Sequence, residues 1–519
     1  MIIMRNRDTV IRNMMKRTLT NGSTTKSSIY DVFIVGGGVV GSSLAKLLSE
    51  TTIPLSIGIM DSRRPPPLSS YESSSNNKDA PFARSYALSP SSLATLGLEE
   101  GGVINRIRKL GRVKDYDKMQ VWECNGPGNL KFTSSDLMNH PDKRIVSQNV
   151  LGSMLEDSLL VSSLWYFLQE TIDKNQTSHK IHLIAPAKIS KIISPMTDIS
   201  SIRTSSNNLL QLSYYLEGEG SEEHTIRTKL LVAADGADSH VRKSLSMPVM
   251  EMGYGRTAVI STVVLACSPT KNHTAFQRFF PSGPVALLPM WNNFANVVWS
   301  TTPDHARQLT SMTPEQFVKE LNEALQVGPT NSPELFPEDV SSKFPSVFKS
   351  MTNGVDMLAR AVGEGLAVSN WMQDPFQMPP VVSRACGARR FAFDLTLSQS
   401  RNYVSHRVAL VGDAAHRIHP MAGQGLNLGI ADAACLAKVI NEATMCGMDP
   451  GDAYFLKQYE KERQQAVLSM MAGIQLLHVA FSTEFTPALW LRSIGVNLVN
   501  SATPIRQKLA NFAAGNIGG

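Results

Sequence analysis

The hydrophobic pattern of the amino-terminal part predicts one βαβ unit. Residues 31–35 form a short apolar run rich in β-forming side chains, which is typical of a buried strand. A glycine turn follows at 36–41, then a small-residue helix over 42–48, and a second apolar run over 55–60 that ends at Asp61. This order of strand, turn, helix and strand is typical of a parallel α/β sheet.

Farther along, the pattern predicts a mostly β middle and a helical end. Residues 209–232 alternate polar and apolar positions, and several strands with turns are predicted over 258–299. A last apolar strand is predicted at 408–411, followed by long helices at 427–443 and 454–478. No apolar run approaches the ~20 residues of a membrane-spanning helix, so we expect the chain to contact a membrane at most, without crossing it.

The net charge of +6 is concentrated in the first 28 residues, where six Lys and Arg face one acid. That segment carries +5, which leaves +1 for the rest of the chain, so we expect no nucleic-acid partner. An arginine-rich, acid-poor segment with Ser and Thr is typical of a mitochondrial transit peptide. We predict one over 1–28, with a disordered basic tail as the alternative.

The five cysteines predict no metal site. They are scattered without CxxC or His/Cys ligand spacing, so reduced buried thiols are the interpretation we favour. Such thiols fit a reducing compartment.

The glycine turn is a candidate dinucleotide site. Gly36 can form the tight turn, Gly38 lets a pyrophosphate approach the backbone, and Gly41 lets the next helix pack against the strand. Asp61, twenty residues after Gly41, can accept hydrogen bonds from an adenosine ribose. A turn that only packs closely is the alternative, and the motif does not distinguish FAD from NAD.

A second motif is the Asp-Gly turn at Asp235 and Gly236. By itself it fits a turn with a helix cap. The full string 234–242, Ala-Asp-Gly-Ala-Asp-Ser-His-Val-Arg, resembles the Asp-Gly motif of class A flavoprotein monooxygenases, the group that contains para-hydroxybenzoate hydroxylase. The resemblance implies that this turn lies near the cofactor's pyrophosphate.

The third motif runs from residue 407 to 432 and is the most specific. Asp413 ends a strand, where its carboxylate can hold flavin ribityl hydroxyls; a helix cap is the alternative. The glycine-rich turn after Pro420 lets the backbone approach an isoalloxazine ring, and the helix that begins near Gln424 directs its positive end towards it. The flavin contacts that we predict from this string are Asp413, Pro420, Gly423, Gly425, Leu426 and Asn427.

Residues 419–432 resemble the signature of the ring hydroxylases of mitochondrial ubiquinone biosynthesis nearly throughout, with Met421 in place of the usual aliphatic residue. Matching segments span roughly 30–513, and Arg84 matches the family's flavin-contacting Arg. Gln148 and Arg256 depart from the family pattern, which affects local contacts only.

The resemblance implies an α/β fold: a Rossmann-like FAD-binding domain of the para-hydroxybenzoate hydroxylase type, with an inserted, mostly β substrate domain and carboxy-terminal helices. We expect the FAD-binding domain at 29–112, 143–249 and 396–460, the substrate domain at 113–142 and 250–395, and the helical region at 461–519.

The resemblance also implies FAD as cofactor, and hydroxylation by dioxygen at ring C5 of a polyprenylated 4-hydroxybenzoate. It implies a peripheral place on the matrix side of the inner membrane, beside other quinone-biosynthesis proteins, with ferredoxin and ferredoxin reductase as electron donors. No catalytic base is predicted. Two alternatives remain open: another flavoprotein, such as a prenyl-chain reductase, and a catalytically silent scaffold subunit. Residues 486–514, which lack acids, either rest on an anionic membrane or pack against the flavin domain.

Overall fold

The computed structural model describes most of the chain between residues 28 and 513. The described ranges are 28–72, 80–126, 128–138, 142–174, 177–194, 209–218, 222–266, 273–329, 376–387, 390–419, 423–482 and 503–513. The predicted transit peptide except residue 28, Pro420, and most of 486–514 lie outside these ranges.

The described strands form two large sheets and one small sheet. In chain order they are β1 Ser28–Val35, β2 Ser56–Met60, β3 Ser85–Leu88, β4 Lys114–Tyr116, β5 Lys118–Glu123, β6 Asn129–Thr133, β7 Gly152–Glu156, β8 Lys180–Ile184, β9 Ala187–Ile193, β10 Leu210–Leu216, β11 Glu223–Ala233, β12 Val249–Leu265, β13 Thr274–Phe279, β14 Val285–Pro289, β15 Phe294–Thr301, β16 Val382–Ala385, β17 Phe391–Ser400, β18 Val404–Ser405, β19 Val408–Leu410 and β20 His416–Arg417.

The helices surround these sheets. In chain order they are α1 Val39–Ser49, α2 Ser69–Glu72, α3 Pro90–Leu96, α4 Val103–Lys109, α5 Lys143–Val146, α6 Asp157–Asp173, α7 His240–Ser244, α8 Pro303–Ser311, α9 Pro314–Leu325, α10 Gln424–Met445, α11 Ala453–Ser482 and α12 Thr503–Ala513, with 3-10 turns η1 Ser134–Leu137 and η2 Gly412–Ala414. Within the described ranges, none of the helices combines the length and apolar character needed to span a membrane.

The first sheet confirms the predicted βαβ unit. Its order is β18-β19-β11-β1-β2-β8, with β10 and β9 added at β11. β1 pairs in parallel with both β11 and β2, and α1 connects β1 to β2. Val32, Phe33 and Ile34 have no exposed surface, because a central parallel strand is covered on both faces. The alternating stretch over 209–232 contains two antiparallel strands, β10 and β11.

The second sheet confirms the mostly β middle. Its order is β20-β17-β12-β15-β14-β13-β5-β6, with β16 beside β12. The pairs are antiparallel except β13 with β5. Trp122, Phe317 and Leu321 belong to the core between this sheet and helices α8 and α9. β17 crosses the predicted domain boundary at residue 396, and the residue limits of the domains stay a prediction.

The cysteine prediction is partly wrong. Cys124, Cys386, Cys435 and Cys446 are free, but only Cys435 is buried. Cys446 is exposed because it follows the last turn of α10, and Cys267 lies outside the described residues.

Candidate functional site

The three sequence motifs meet at one edge of the first sheet. β1, β11 and β19 lie side by side in parallel, and Ala233 of β11 pairs with a residue of each neighbour. Their carboxyl ends therefore lie together, and they lead into the Gly36 turn, Asp235 and Asp413. The carboxyl edge of a parallel sheet is where α/β folds bind ligands.

A cavity of about 1380 Å³ opens at this edge. Its volume exceeds the ~300–1,000 Å³ of a pocket for a drug-sized ligand, so it has room for an extended cofactor together with a substrate. The predicted site residues that line it are Gly36, Gly38, Asp61, Arg84, Asp235, Gly236, Asp413, Gly423, Gly425, Leu426 and Asn427. Gly41 lies behind the cavity wall, and Pro420 is outside the described residues.

The structure requires glycine at position 41 and leaves open space at position 38. A Cβ on Gly41 would lie 1.9 Å from the carbonyl oxygen of Gly36, so this glycine permits the close packing of α1 on the turn. A Cβ on Gly38 would meet nothing within 4 Å. Gly38 stands before the first turn of α1, so the open space there faces the positive end of a helix, which suits a phosphate.

Asp61 holds the glycine turn in place. Its Oδ2 accepts a hydrogen bond of 2.8 Å from the Gly37 N–H, and its Oδ1 accepts one from the Arg63 N–H. A carboxylate has about four acceptor positions, so it keeps capacity for a ribose hydroxyl. Trp165 Nε1 donates to the Gly37 carbonyl at 2.8 Å. Trp165 was missed by sequence reasoning because it lies 128 residues away on α6.

Asp235 contacts the start of α7, and its place beside the cofactor stays a prediction. Its Oδ2 accepts from the Val241 N–H at 3.1 Å in the first turn of α7, whose N-cap residue is Ser239. Its Oδ1 is buried and has no hydrogen-bond partner among the described residues. A buried unpaired acceptor costs about 1–3 kcal/mol, and a ligand hydroxyl in the cavity would remove that cost.

Asp413 lies on η2 and faces the cavity, where its side chain is exposed. The protein around the cavity wall nevertheless removes much of its water. That desolvation raises the pKa of the Asp413 carboxyl above its ordinary value, an effect that His416 and Arg417 oppose. Hydrogen bonds from ligand hydroxyls would replace the lost water.

A buried network of charged residues stabilises η2, the turn that carries Asp413. Asp432 is fully buried; its Oδ2 accepts from Gly412 N–H at 2.9 Å and lies 2.6 Å from His416 Nε2. Its Oδ1 accepts from Arg463 Nε at 2.7 Å. Burial alone would raise the pKa of Asp432, but His416 and Arg463 hold it below its ordinary value. Sequence reasoning placed Asp432 in a signature without assigning it this role.

The amino terminus of α10 forms another wall of the cavity. Gly423, which precedes the helix, has a left-handed φ of 62°. The first N–H groups of a helix lack intrahelical partners, and in this 22-residue helix they lie beside Gly425 and Leu426 at the cavity. These groups can stabilise negative charge on a bound ring.

The side chain of Asn427 forms hydrogen bonds within the protein. Its Oδ1 accepts from Ser89 N–H at 2.9 Å and from Ser92 Oγ at 2.8 Å, and its Nδ2 donates to Ala87 O at 3.0 Å. The side chain therefore joins the start of α10 to β3 and α3. Asn427 also lines the cavity, and its contact with the cofactor stays a prediction.

Arg84 lines the cavity from a loop between the two large sheets. Its side chain is 68% exposed, pairs with Asp157 at 3.3 Å and donates to Tyr86 Oη at 3.1 Å. Exposure leaves the guanidinium accessible to a ligand.

The Arg84 loop is held by residues that sequence reasoning missed. Glu156 accepts from Phe82 N–H at 2.8 Å and forms a buried bidentate ion pair with Arg112. Asn296 of β15 donates to Ala83 O at 2.7 Å. The loop is thus fixed to both the small sheet and the second large sheet.

Beyond these residues, most side chains that line the cavity from the second sheet are apolar, although Gln277, Asn296, Ser300 and Thr396 also line it. This apolar arm is lined by Phe132, Leu137, Leu151, Ile260, Ala286, Leu288, Val298 and Leu509. The described residues therefore offer a charged and glycine-rich part at the first sheet and an apolar part at the second sheet.

The residues present fit FAD. The open space at Gly38 suits a pyrophosphate, and Asp61 lines the cavity with acceptor capacity for a ribose hydroxyl. The unpaired Oδ1 of Asp235 and the carboxyl of Asp413 suit ligand hydroxyls. When bound, FAD supplies redox and oxygen-transfer chemistry that side chains lack.

Comparison with known proteins agrees with this geometry. Residues 207–335 and 389–473 match the FAD binding domain family. Solved structures with a similar fold include p-nitrophenol 4-monooxygenase PnpA from Pseudomonas putida (TM-score 0.60, 15% identity, 93% of this chain and 97% of that chain). Another is PqsL from P. aeruginosa (TM-score 0.57, 18% identity, 91% of this chain and 100% of that chain).

Eight similar curated proteins carry the name "Ubiquinone biosynthesis monooxygenase COQ6, mitochondrial". The relative from Xenopus tropicalis is 31% identical over 95% of this chain and 95% of its own length. The human relative is 30% identical over 95% of this chain and 94% of its own length. The chain therefore belongs to the FAD-dependent monooxygenase family of ubiquinone biosynthesis.

Proposed function

We propose that this enzyme hydroxylates C5 of the aromatic ring of a polyprenylated 4-hydroxybenzoate in ubiquinone biosynthesis. The observation that carries the proposal is one continuous cavity, which joins the glycine turn and Asp413 to an apolar arm in the second sheet. The curated relatives carry the ubiquinone-biosynthesis name. The proposed place of action is the matrix side of the mitochondrial inner membrane, together with other quinone-biosynthesis proteins.

The side chains would bind, orient and exclude water. The acceptors Asp235 and Asp413 would fix the position of the cofactor's hydroxyls, and the start of α10 would stabilise negative charge on its ring. The apolar arm would take the prenyl tail, because burial of each CH₂ contributes about 0.8 kcal/mol. Exclusion of water from the arm by a bound tail would also limit hydrolytic side reactions.

The test of the proposed function is the product. Purified enzyme with FAD, a reductant and the prenylated phenol should add one oxygen atom to the ring, and cells without the protein should accumulate the unhydroxylated phenol. Addition of two hydrogen atoms would assign a reductase instead. Unchanged substrate under every reducing condition would favour a scaffold subunit.

The released cofactor should be FAD. We expect the purified protein to be yellow and to release FAD on denaturation, because the space at Gly38 and the acceptor Asp61 serve the adenosine half. Chromatography of the supernatant identifies the flavin. Release of FMN would contradict the assignment of the glycine turn.

Replacing Asp413 with Asn should weaken FAD binding and spare the apo protein. Loss of a charge-assisted hydrogen bond costs about 1.5–3 kcal/mol of binding free energy. That cost corresponds to roughly a ten- to hundred-fold loss of affinity. The raised pKa of Asp413 means that its ionised form opposes folding at neutral pH. Apo stability at pH 7 should therefore stay equal or rise. Fluorescence titration with FAD and denaturant unfolding measure the two effects, and unchanged affinity would leave Asp413 a structural residue.

For the electron donor we propose ferredoxin with its reductase. The chain has a single dinucleotide fingerprint, at Gly36–Gly41, and we assign it to FAD. In anaerobic stopped-flow experiments, NADPH alone should reduce the flavin slowly, and ferredoxin with its reductase should reduce it fast. Rapid bleaching by NADPH alone, accelerated by a phenolic substrate, would refute this electron path.

A further inference from the structure

An exposed apolar and basic face lies on α12 and the neighbouring turn. Ile505 is 44% exposed, Leu509 is 42% exposed, and Met138, directly after η1, is 63% exposed. Ile505, Lys508 and Leu509 are three and four positions apart, so they lie on the same side of the helix. We call Met138, Ile505, Lys508 and Leu509 the mouth surface.

The opposite side of α12 is fixed to the protein. Arg506 Nε donates to Asp136 Oδ1 at 2.8 Å, and the Asp136 carboxylate is buried. Ala510 packs in one cluster with Leu137 and Ile145. Ile505, Lys508 and Leu509 therefore lie on the side of α12 that these contacts leave uncovered.

The charges around the mouth surface are mainly positive. Ile145 of that cluster lies on α5, where Lys143 and Arg144 are exposed. Among the described residues of η1, α5 with its cap, and α12, four side chains are basic and two are acidic. Both acids form ion pairs, Asp136 with Arg506 and Asp142 with Arg144. Lys143 and Lys508 therefore remain to favour an anionic partner.

The mouth surface is continuous with the apolar arm of the cavity. Leu509 is exposed and also lines the cavity, where Phe132, Leu137 and Leu151 continue the lining inwards. The apolar tail of a ligand that leaves the apolar arm past Leu509 would emerge at the mouth surface.

We propose that the mouth surface docks on an anionic phospholipid bilayer and that a lipid-tailed substrate enters the cavity there. The entry step rests on the proposed function, whereas docking does not. Apolar side chains beside lysines on one helix face are suited to the boundary between headgroups and acyl chains. Each cation near an anionic surface strengthens binding about five-fold.

The test uses the full-length, FAD-loaded protein and flotation with phosphatidylcholine vesicles, with or without phosphatidylserine. The double variant Ile505→Ser with Lys508→Glu removes one apolar and one basic group, and neither residue lines the cavity. The matched control is Ile193→Ser with Lys191→Glu. It makes the same two changes at exposed positions of β9, which belongs to the first sheet.

We expect the wild type and the control to bind the anionic vesicles, and the mouth variant to bind them at least ten-fold more weakly. Bound FAD and the thermal unfolding temperature should match among the three proteins, which excludes misfolding. Equal vesicle binding by the mouth variant would overturn the proposal, and so would failure of the wild type to bind. A changed oligomeric state with vesicle binding kept would assign this face to a second copy of the chain.

Turnover separates docking from the reaction itself. With a prenylated 4-hydroxybenzoate embedded in anionic vesicles, the mouth variant should turn over at least ten-fold more slowly than the control. With a short-tailed substrate in buffer, the two should be equal. If neither variant nor the wild type hydroxylates either substrate, the proposed function fails while the vesicle result still decides docking. A slow mouth variant in both assays would refute the entry step.

Discussion

Replacing Asp432 with Asn is expected to destabilise the protein by about 3–5 kcal/mol. The substitution keeps the shape of the side chain and removes its charge. It leaves Arg463, which is 6% exposed and donates to Asp432 Oδ1, as a buried cation without its carboxylate. An arginine cannot lose its proton in a protein, so titration offers no relief.

The effect should depend on pH with a definite sign. The pKa of Asp432 is lowered in the folded protein, so its charge contributes stability above the ordinary carboxyl pKa of about 3.9. That contribution is lost as the pH falls through the lowered value. The difference between wild type and Asp432→Asn should therefore be full at pH 7 and shrink below about pH 4.

Denaturant unfolding of the apo protein measures this difference. The control is Glu323→Gln, which removes the charge of an exposed i,i+4 pair with Lys319 on α9 and should change stability by less than about 0.5 kcal/mol. Asp432→Asn should also lose FAD affinity, because Asp432 accepts a hydrogen bond from the N–H of Gly412, the residue before Asp413. Equal stability of Asp432→Asn and the control would show that the network contributes nothing.

The elements with a strong local signal were predicted from the sequence. Residues 32–35 of β1 form an unbroken apolar run because both faces of the strand are buried there. The long helices were located, although they extend to Gln424–Met445 and Ala453–Ser482. Their apolar periodicity weakens at the ends, where caps and turns decide the boundary.

The residues that position the site were harder to predict, because their partners are distant in sequence. Trp165 bonds Gly37 across 128 residues, and Arg112 pairs with Glu156 across 44. Such pairs leave no periodic pattern in the chain. Asn427, which the motif predicts as a ligand contact, also holds α10 against Ser89 through its side chain.

Replacing Gly38 and Gly41 separately with Ala should separate cofactor binding from folding. A methyl group on Gly41 would lie 1.9 Å from the Gly36 carbonyl oxygen, and backbone must move to admit it. Such overpacking costs about 1–3 kcal/mol or more. An ordinary Gly→Ala change inside a helix would instead stabilise it by up to about 1 kcal/mol.

A methyl group on Gly38 would meet no protein atom within 4 Å. The apo protein should therefore lose less than about 1 kcal/mol, an effect of the cap position alone. The methyl would occupy the space that we assign to the pyrophosphate, and a comparable steric cost of about 1–3 kcal/mol corresponds to roughly a five- to hundred-fold loss of FAD affinity. Unfolding of the apo proteins and FAD titration give the two readouts for each variant. Gly38→Ala with wild-type FAD affinity would show that the pyrophosphate lies elsewhere, whatever Gly41→Ala does, because Gly38 lines the cavity and Gly41 does not.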